Sequence, residues 1–376
     1  MKRLNYIDGL KGWCAISVCV LHFQLMFAIN GYIGWKALPE AAMNPFNYYF
    51  EWFPYSILTN NSFPLYIFFA LTSFIVSYTF LKNKNEDKLK QKIVMRYFRF
   101  LPLVVIACFA AYLLLAFQLC PLQAFYDITG NTWGYARLEE SYSFFDVLKI
   151  GFFTSFFEGT QLVSPFWCLH YIFLGSMLSF IMMLLYTRID NKIFFFGSAI
   201  VLFYFVDQNY LAFLMGLIAG IIANKEHPMG KTTGALLIAA GCIFGIFPPV
   251  LLPNFINVVT LYALGAGLVI VGIHCCFSDN RLLCNQFAEF LGKESLAFIV
   301  WQFLVMQSLN IFLYNYFYST GMNNSMNIAI NFFVNAGLSL FLTWVSAKTI
   351  TPLTNYLCNR LRALLWKQTL DLNIHK

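Results

Sequence analysis

Residues 5–24 read NYIDGLKGWCAISVCVLHFQ, and this stretch decides how the rest of the chain is interpreted. It changes from charged residues and glycines to an apolar run that contains one ionisable side chain, His22. On an α-helix, the eleven residues from Lys11 to His22 rise about 16 Å and return to nearly the same face. The pattern predicts a membrane-entering helix with Asp8, Lys11 and His22 along one stripe, and with His22 near the middle of a bilayer core roughly 30 Å thick. An ionisable residue at that depth indicates a functional role, although a hydrogen bond to a neighbouring helix would also explain it.

The whole chain is too apolar for a soluble protein. Of its 376 residues 60% are hydrophobic and 11% are charged, and phenylalanine occurs 43 times. This composition is typical of a polytopic all-α membrane protein, and no polar segment is long enough for a second soluble domain. The net charge of +7 fits basic flanks on the inner side of a membrane better than binding to nucleic acid. The ten cysteines include no C-x-x-C pair, so we expect neither a disulfide framework nor a metal site.

Ten apolar runs are long enough, or nearly long enough, to cross a membrane. Their approximate limits are 11–30, 62–81, 99–119, 166–187, 192–207, 209–224, 232–251, 255–277, 295–316 and 326–348. With the amino terminus inside, only three of the 24 lysines and arginines fall on the outer side, and the basic loop 82–99 lies inside. This bias predicts a helical bundle of about ten spans with both termini cytoplasmic.

The opening stretch also resembles a known family. D-G-L-[RK]-G followed by a helix with a histidine eleven residues past the basic position resembles the start of the acyltransferase family 3 membrane proteins, with Lys11 in place of the usual arginine. Members of that family transfer acyl groups, often acetyl, to cell-envelope carbohydrates. The resemblance implies that residues 1–350 form a membrane acyltransferase 3 domain and that residues 351–376 form a short basic cytoplasmic tail.

A second motif is Arg96-Tyr97-Phe98-Arg99, where the basic loop enters the third predicted span. Arginines three residues apart share a helical face and can bind phosphate together, although an ordinary basic flank in contact with lipid headgroups would look the same. The pair also resembles the second motif of the family, which implies contact with acyl-CoA or with the active centre. We therefore expect Lys11, Arg96 and Arg99 to face the phosphates of the donor, acetyl-CoA.

Two later segments resemble family motifs with substitutions. The run from Trp167 to His170 resembles W-S-L-x-x-E without an acid in register, and Gly292 to Gln302 resembles G-K-x-S-Y-x-x-Y-x-x-H with glutamine in place of the histidine. The resemblance implies substrate-binding roles for Trp167, His170, Ser295 and Gln302. A structural role at a helix start explains His170 equally well, and a glutamine can bond to a substrate or to a helix but cannot do acid–base work.

Together these features predict a membrane O-acyltransferase. Acetyl-CoA would dock at the cytoplasmic face, and a hydroxyl of an envelope glycan or lipid-linked oligosaccharide, such as lipopolysaccharide, would approach from the outer face. His22 would act as general base or first accept the acyl group, and Asp8 on the same stripe is the second candidate catalytic residue. The expected location is the inner (plasma) membrane, with several passes through the bilayer. A transporter or flippase for lipid-linked glycans and an inactive relative of the family are the open alternatives.

Overall fold

The computed structural model describes residues 4–27, 62–131, 141–160, 162–225, 229–247, 252–253 and 256–366. All secondary structure in these ranges is helical, which confirms the predicted fold class. The helices, in chain order, are α1 (Asn5–Phe27), α2 (Ser62–Asn83), α3 (Glu86–Ala116), α4 (Leu122–Thr129), α5 (Phe144–Lys149), α6 (Trp167–Tyr186), α7 (Lys192–Val206), α8 (Tyr210–Ala223), α9 (Lys231–Ile246), α10 (Val258–Cys276), α11 (Gln286–Lys293), α12 (Ser295–Val305), α13 (Ile311–Ser319), α14 (Asn324–Lys348) and α15 (Ile350–Trp366). π-helical turns follow α5 and α12, and the second of these covers Met306–Asn310.

Seven segments within the described ranges are long and apolar enough to cross a membrane. They are Asn5–Phe27, Ser62–Asn83, Glu86–Ala116, Ser164–Tyr186, Val258–Cys276, Ser295–Ser319 and Asn324–Trp366. The three shorter apolar helices α7, α8 and α9 fall on the remaining predicted runs. The chain is therefore a multi-pass membrane protein, whereas the count of ten spans and the cytoplasmic termini stay predictions.

The predicted basic loop 82–99 is wrong in part, because α3 already begins at Glu86. The side chain of Asn85 accepts a hydrogen bond from the backbone nitrogen of Lys88 (2.9 Å) and caps the helix. The helix then continues through Pro102 to Ala116. Hydropathy marks only the apolar part of such a helix, so its basic first turns read as a loop.

Hydrogen bonds between distant helices define the two ends of the bundle. Near the start of α1, the hydroxyl of Tyr6 lies 2.6 Å from Nδ1 of His274, close to the end of α10. The ring of Tyr78, near the end of α2, stands against the same imidazole. We call this end proximal. At the opposite, distal end, the hydroxyl of Tyr66 donates to Oδ1 of Asn209, directly before α8 (2.7 Å).

The glycines of the opening motif allow α1 to cross α11 at very short range. A Cβ atom at Gly9 would overlap the carbonyl oxygen of Leu283, and one at Gly12 would overlap that of Ala288. In return, a Cβ atom at Gly292 would overlap the carbonyl oxygen of Asp8. Two of the motifs that resemble the family therefore pack directly against each other, which fixes α1 against the start of α12.

The apolar core has two main parts that meet at α6. One joins α2, α6, α8 and α10 around residues such as Phe69 and Phe213. The other joins the distal half of α1 with α3, α6 and α12 around Phe23, Phe173 and Phe303. The first residues of α6 contact α2 and α8, and α2 in turn packs against α1.

Candidate active site

His22 and Gln302 meet between α1 and α12. The two side chains are buried, with exposures of 8% and 1%. Nδ1 of His22 lies 3.4 Å from Oε1 of Gln302, a long hydrogen bond, and the imidazole stands edge-on to the ring of Phe303. The ring therefore faces the interior of the bundle. Two predicted site residues that lie 280 positions apart in the chain are thus brought into direct contact.

The hydrogen bonds of Gln302 define the state of the imidazole. Its amide nitrogen donates to the carbonyl oxygen of Cys19, one turn before His22 on α1 (3.3 Å). An amide nitrogen can only donate and an amide oxygen can only accept, so Oε1 must be the atom that faces His22. Nδ1 of the neutral ring then carries the hydrogen, and Nε2 carries the lone pair.

A column of buried asparagines, not noted in the sequence analysis, holds the backbone at Gln302. Asn335 on α14 donates to the carbonyl oxygen of Gln302 (3.1 Å) and to Oδ1 of Asn310 (2.9 Å). Asn310 donates to the side chain of Asn331 (2.9 Å), and Asn331 donates to that of Asn327 (2.9 Å). All four asparagines are buried. The column runs beside the π-helical turn Met306–Asn310, and such turns are frequent at functional sites.

A signal for this column was present in the sequence. Within α14, the polar residues that are buried recur at every fourth position over most of the helix: Asn327, Asn331, Asn335, Ser339 and Thr343. A polar stripe along an otherwise apolar membrane helix indicates the face that bonds to neighbouring helices. The polar face of α14 could thus have been predicted from the sequence, but the helix that this face contacts could not.

The three predicted cations lie together toward the proximal end. The charge of Lys11 interacts with those of Arg96 and Arg99, so α1 and α3 present them to one region. Nε of Arg96 donates to Oγ of Ser176 on α6 (3.0 Å), and its guanidinium lies 4.6 Å from the centre of the Phe100 ring. Arg96 is therefore held in place and half-buried, whereas Arg99 is exposed.

Asp8 belongs to this charged region and not to the imidazole. It precedes His22 by fourteen residues on α1, which is about 21 Å along the helix axis. Its charge interacts with that of Lys11. Ser295, the first residue of α12, is buried and lies about 10 Å along the axis from Gln302. Neither Asp8 nor Ser295 is therefore in contact with the His22–Gln302 pair.

Helix α15 lies beside the charged region. Most of its residues belong to the segment 351–376, which the sequence predicts to be a tail. It packs against α3, and the hydroxyl of Thr351 donates to a carboxylate oxygen of Glu294 (2.9 Å). Burial raises the pKa of Glu294, while the Thr351 bond and the charge of Arg99 act in the opposite direction. The predicted tail thus includes an ordered helix, and residues 367–376 lie outside the described residues.

Trp167 and His170 lie at the distal end, in the first turn of α6. Trp167 is 41% exposed, and Nδ1 of His170 is buried without a hydrogen-bond partner among the described residues. The ring of His170 lies 3.9 Å from that of Tyr171. Helix α2 packs against both α6 and α1, and Trp167 and His170 form a second group at the distal end of the bundle.

Comparison with known proteins identifies the chain at the level of its family. No curated protein and no solved structure matches it. A family model, described as an acyltransferase domain of the acyltransferase 3 type, matches residues 4–348. The match begins before the opening motif and ends at the last residue of α14, so it includes every predicted site residue. Because it spans nearly the whole chain, the protein belongs to the acyltransferase 3 family.

Proposed function

We propose that this membrane acyltransferase moves an acetyl group from cytoplasmic acetyl-CoA to a hydroxyl of a cell-surface or lipid-linked polysaccharide. In this proposal it lies in the inner membrane with the proximal end in the cytoplasm. The observation that carries the proposal is the buried His22–Gln302 pair, because it supplies an oriented imidazole nitrogen within a membrane acyltransferase. The family match supports the reaction class, and the donor and the acceptor are our inference.

The pair supports two forms of acyl transfer. In the first, Nε2 of His22 takes the proton of the acceptor hydroxyl, the oxygen attacks the thioester carbonyl, and the leaving thiolate receives the proton from the imidazolium. In the second, Nε2 attacks the thioester and expels the thiolate, which leaves an acylimidazolium; the acceptor oxygen then takes the acyl group from Nε2, and the hydroxyl proton passes to the thiolate. In both forms, Oε1 of Gln302 accepts from Nδ1–H and stabilises the charged ring.

The proximal cations support the donor side of the proposal. Lys11, Arg96 and Arg99 are like charges whose proximity is unfavourable, and the nearby acids Asp8 and Glu294 offset part of this repulsion. Bound phosphate groups would balance the remaining charge through charge-assisted hydrogen bonds. Lys11 lies about 16 Å along α1 from His22, a gap that the flexible arm of coenzyme A would have to cross.

The decisive experiment is acyl transfer with matched variants of the full-length protein. Inverted membrane vesicles receive labelled acetyl-CoA, and label on the envelope glycan is counted at equal protein abundance. We expect His22→Ala to lose a factor of about 10²–10⁴, the usual contribution of a general base. Gln302→Leu should also lose activity, whereas Gln307→Leu, a buried glutamine in the adjacent π-helical turn, should not.

Three results would contradict the proposal. Normal glycan acylation by His22→Ala would remove the imidazole from the mechanism. Equal effects of the two glutamine variants would make Gln302 a packing residue. Glycan translocation by the wild-type protein without acyl transfer would favour a flippase. A ¹⁵N spectrum of the labelled imidazole tests the geometry independently of activity, because the neutral ring of His22 should carry its hydrogen on Nδ1.

A further inference from the structure

A second polar cluster lies at the distal end, around Asp207 in the turn before α8. One carboxylate oxygen, Oδ2, accepts from the hydroxyl of Tyr171 (2.9 Å). The other, Oδ1, accepts from the backbone and side-chain nitrogens of Asn209 (2.9 Å each). Asn209 is held in turn by the hydroxyl of Tyr66 on α2. The carboxylate is therefore fixed by residues that come from three different helices or their ends.

All of these donors are neutral, which leaves the negative charge of Asp207 in place. No lysine or arginine within the described ranges forms an ion pair with it. Asp207 is partly exposed, and a carboxylate offers about four acceptor positions, of which three are used. One position remains for a hydroxyl or another neutral donor that arrives from outside the protein.

Aromatic rings cluster around Tyr171, whose hydroxyl bonds to this carboxylate. The ring of Tyr171 is bordered by His170 at 3.9 Å, by Tyr210 at 5.6 Å and by Trp167 at 6.2 Å between centroids. Trp167 presents 41% of its surface, and Nδ1 of His170, which has no hydrogen-bond partner in the part of the chain that the structure describes, lies in the same group. A sugar ring needs the same two features, a flat apolar surface for its C–H face and a fixed acceptor for its hydroxyls.

We propose that Trp167, His170, Tyr171 and Asp207 form a binding subsite for a neutral sugar ring of the acceptor glycan. The inference rests on the proposed function, and it adds Asp207 and Tyr171 to the residues that sequence analysis assigned to the substrate. Because the subsite is built at the ends of packed helices, its geometry is fixed before the ligand binds.

The position of this subsite predicts which sugar of the glycan it binds. The subsite lies at the start of α6, and helix α2 packs against both α6 and α1, which carries His22. Packed helices lie about 8–10 Å apart, so a ring bound at Asp207 is displaced from α1 by about one helix. The subsite therefore holds a neighbour of the acylated sugar, and acceptors of two or more sugars should be used better than single sugars.

Ligand binding tests the subsite without acyl transfer. Full-length protein in nanodiscs, without acetyl-CoA, is mixed with methyl glycosides of common hexoses and with their disaccharides, and saturation-transfer NMR records contact. At least one sugar should give a signal that falls about tenfold in Asp207→Asn and in Trp167→Leu, because each variant loses one principal contact. Trp344→Leu, which removes an exposed tryptophan of α14, should match the wild type.

Several outcomes of this titration would overturn the subsite. The wild-type protein could give no signal with any sugar, or all variants could give equal signals. A signal from choline but not from sugars would indicate a cation site instead. Kinetics separate this inference from the proposed function. If Asp207→Asn raises the acceptor KM about tenfold with kcat little changed, both stand. If Asp207→Asn transfers acyl groups with an unchanged acceptor KM, the subsite is wrong and the proposed function stands. If the wild-type protein binds sugar but transfers no acyl group, the proposed acyl transfer is wrong and the subsite stands.

Discussion

Replacing Asn335 by leucine tests whether the asparagine column supports the His22–Gln302 pair. The change keeps the side chain close to its original size and removes both of its donated hydrogen bonds, to the carbonyl oxygen of Gln302 (3.1 Å) and to Oδ1 of Asn310 (2.9 Å). Asn335 is buried, so water cannot replace these bonds. We therefore expect both lower stability and a displaced Gln302.

The number of lost bonds gives the size of the stability effect. Side-chain hydrogen bonds between membrane helices contribute about 0.6 kcal/mol on average and at most about 1.7 kcal/mol each. Two bonds therefore predict a loss of about 1–3 kcal/mol in the free energy of unfolding. If the displaced Gln302 weakens its bond to His22 by about 1.4 kcal/mol in the transition state, kcat falls about tenfold.

The matched control is Asn327→Leu, at the distal end of the same column. Asn327 also makes two side-chain bonds, to the carbonyl oxygen of Tyr314 (3.0 Å) and from Asn331 (2.9 Å), but it does not contact Gln302. Unfolding in SDS should show similar losses of stability for the two variants. Only Asn335→Leu should lower kcat for acetyl transfer and change the ¹⁵N shift of the His22 imidazole.

Equal losses of activity in the two variants, in proportion to their losses of stability, would contradict a role of Asn335 in positioning Gln302. The column would then hold α14 against α12 without any special effect on the imidazole. An Asn335→Leu protein as stable as the wild type would also contradict that role, since the two bonds that Asn335 donates would then contribute nothing.

Three further predictions concern the proximal half of the protein. Gly9→Ala should destabilise the protein and lower its abundance, because the new methyl group overlaps the carbonyl oxygen of Leu283; wild-type thermal stability in detergent would disprove this close packing. The raised pKa of Glu294 means that the folded state binds a proton more tightly than the unfolded state, so stability should fall as pH rises from the unfolded value through the folded value. Glu294→Gln should remove this pH dependence while it still accepts from Thr351, and melting curves that keep the same pH dependence would contradict the assignment. Arg96→Lys should raise KM for acetyl-CoA at least several-fold, because a planar guanidinium is replaced by a point charge, and an unchanged KM would place the donor elsewhere.

The sequence predicted the helical fold class because that class depends on local composition, whereas the depth of His22 in the membrane stays a prediction. Hydropathy counts the apolar residues of each span, and the spacing from Lys11 places His22 along its helix. The apolar run 11–30 understates the length of α1, which begins at Asn5, because its charged first turns pack on Leu283 through Gly9 and on α11 through Gly12. A hydropathy window detects only the apolar run of such a helix and misses the charged turns that precede it.

The partners of the site residues could not be predicted, since they depend on how each helix is rotated in the bundle. Gln302 meets His22 although the two are 280 residues apart, and neither hydropathy nor spacing relates them. Asp207 was passed over because it stands in a turn of three polar residues, where an acid is ordinary. Its significance comes from Tyr171 and Asn209, which only the packed bundle places around it.

The glutamine at position 302 has a chemical consequence for the His22 imidazole. The motif that Gln302 resembles has a histidine at this place, and two imidazoles at 3.4 Å would titrate as a coupled pair with two apparent ionisations. A glutamine does not titrate, so His22 is the one ionisable partner in the contact, and the acid limb of kcat should follow a single ionisation. Gln302→His should convert this limb to a two-step profile, while Gln302→Asn keeps one step at lower kcat. A two-step acid limb in the wild-type protein would show that a second titrating group shares the chemistry with His22, and the assignment of the base to this imidazole alone would fail.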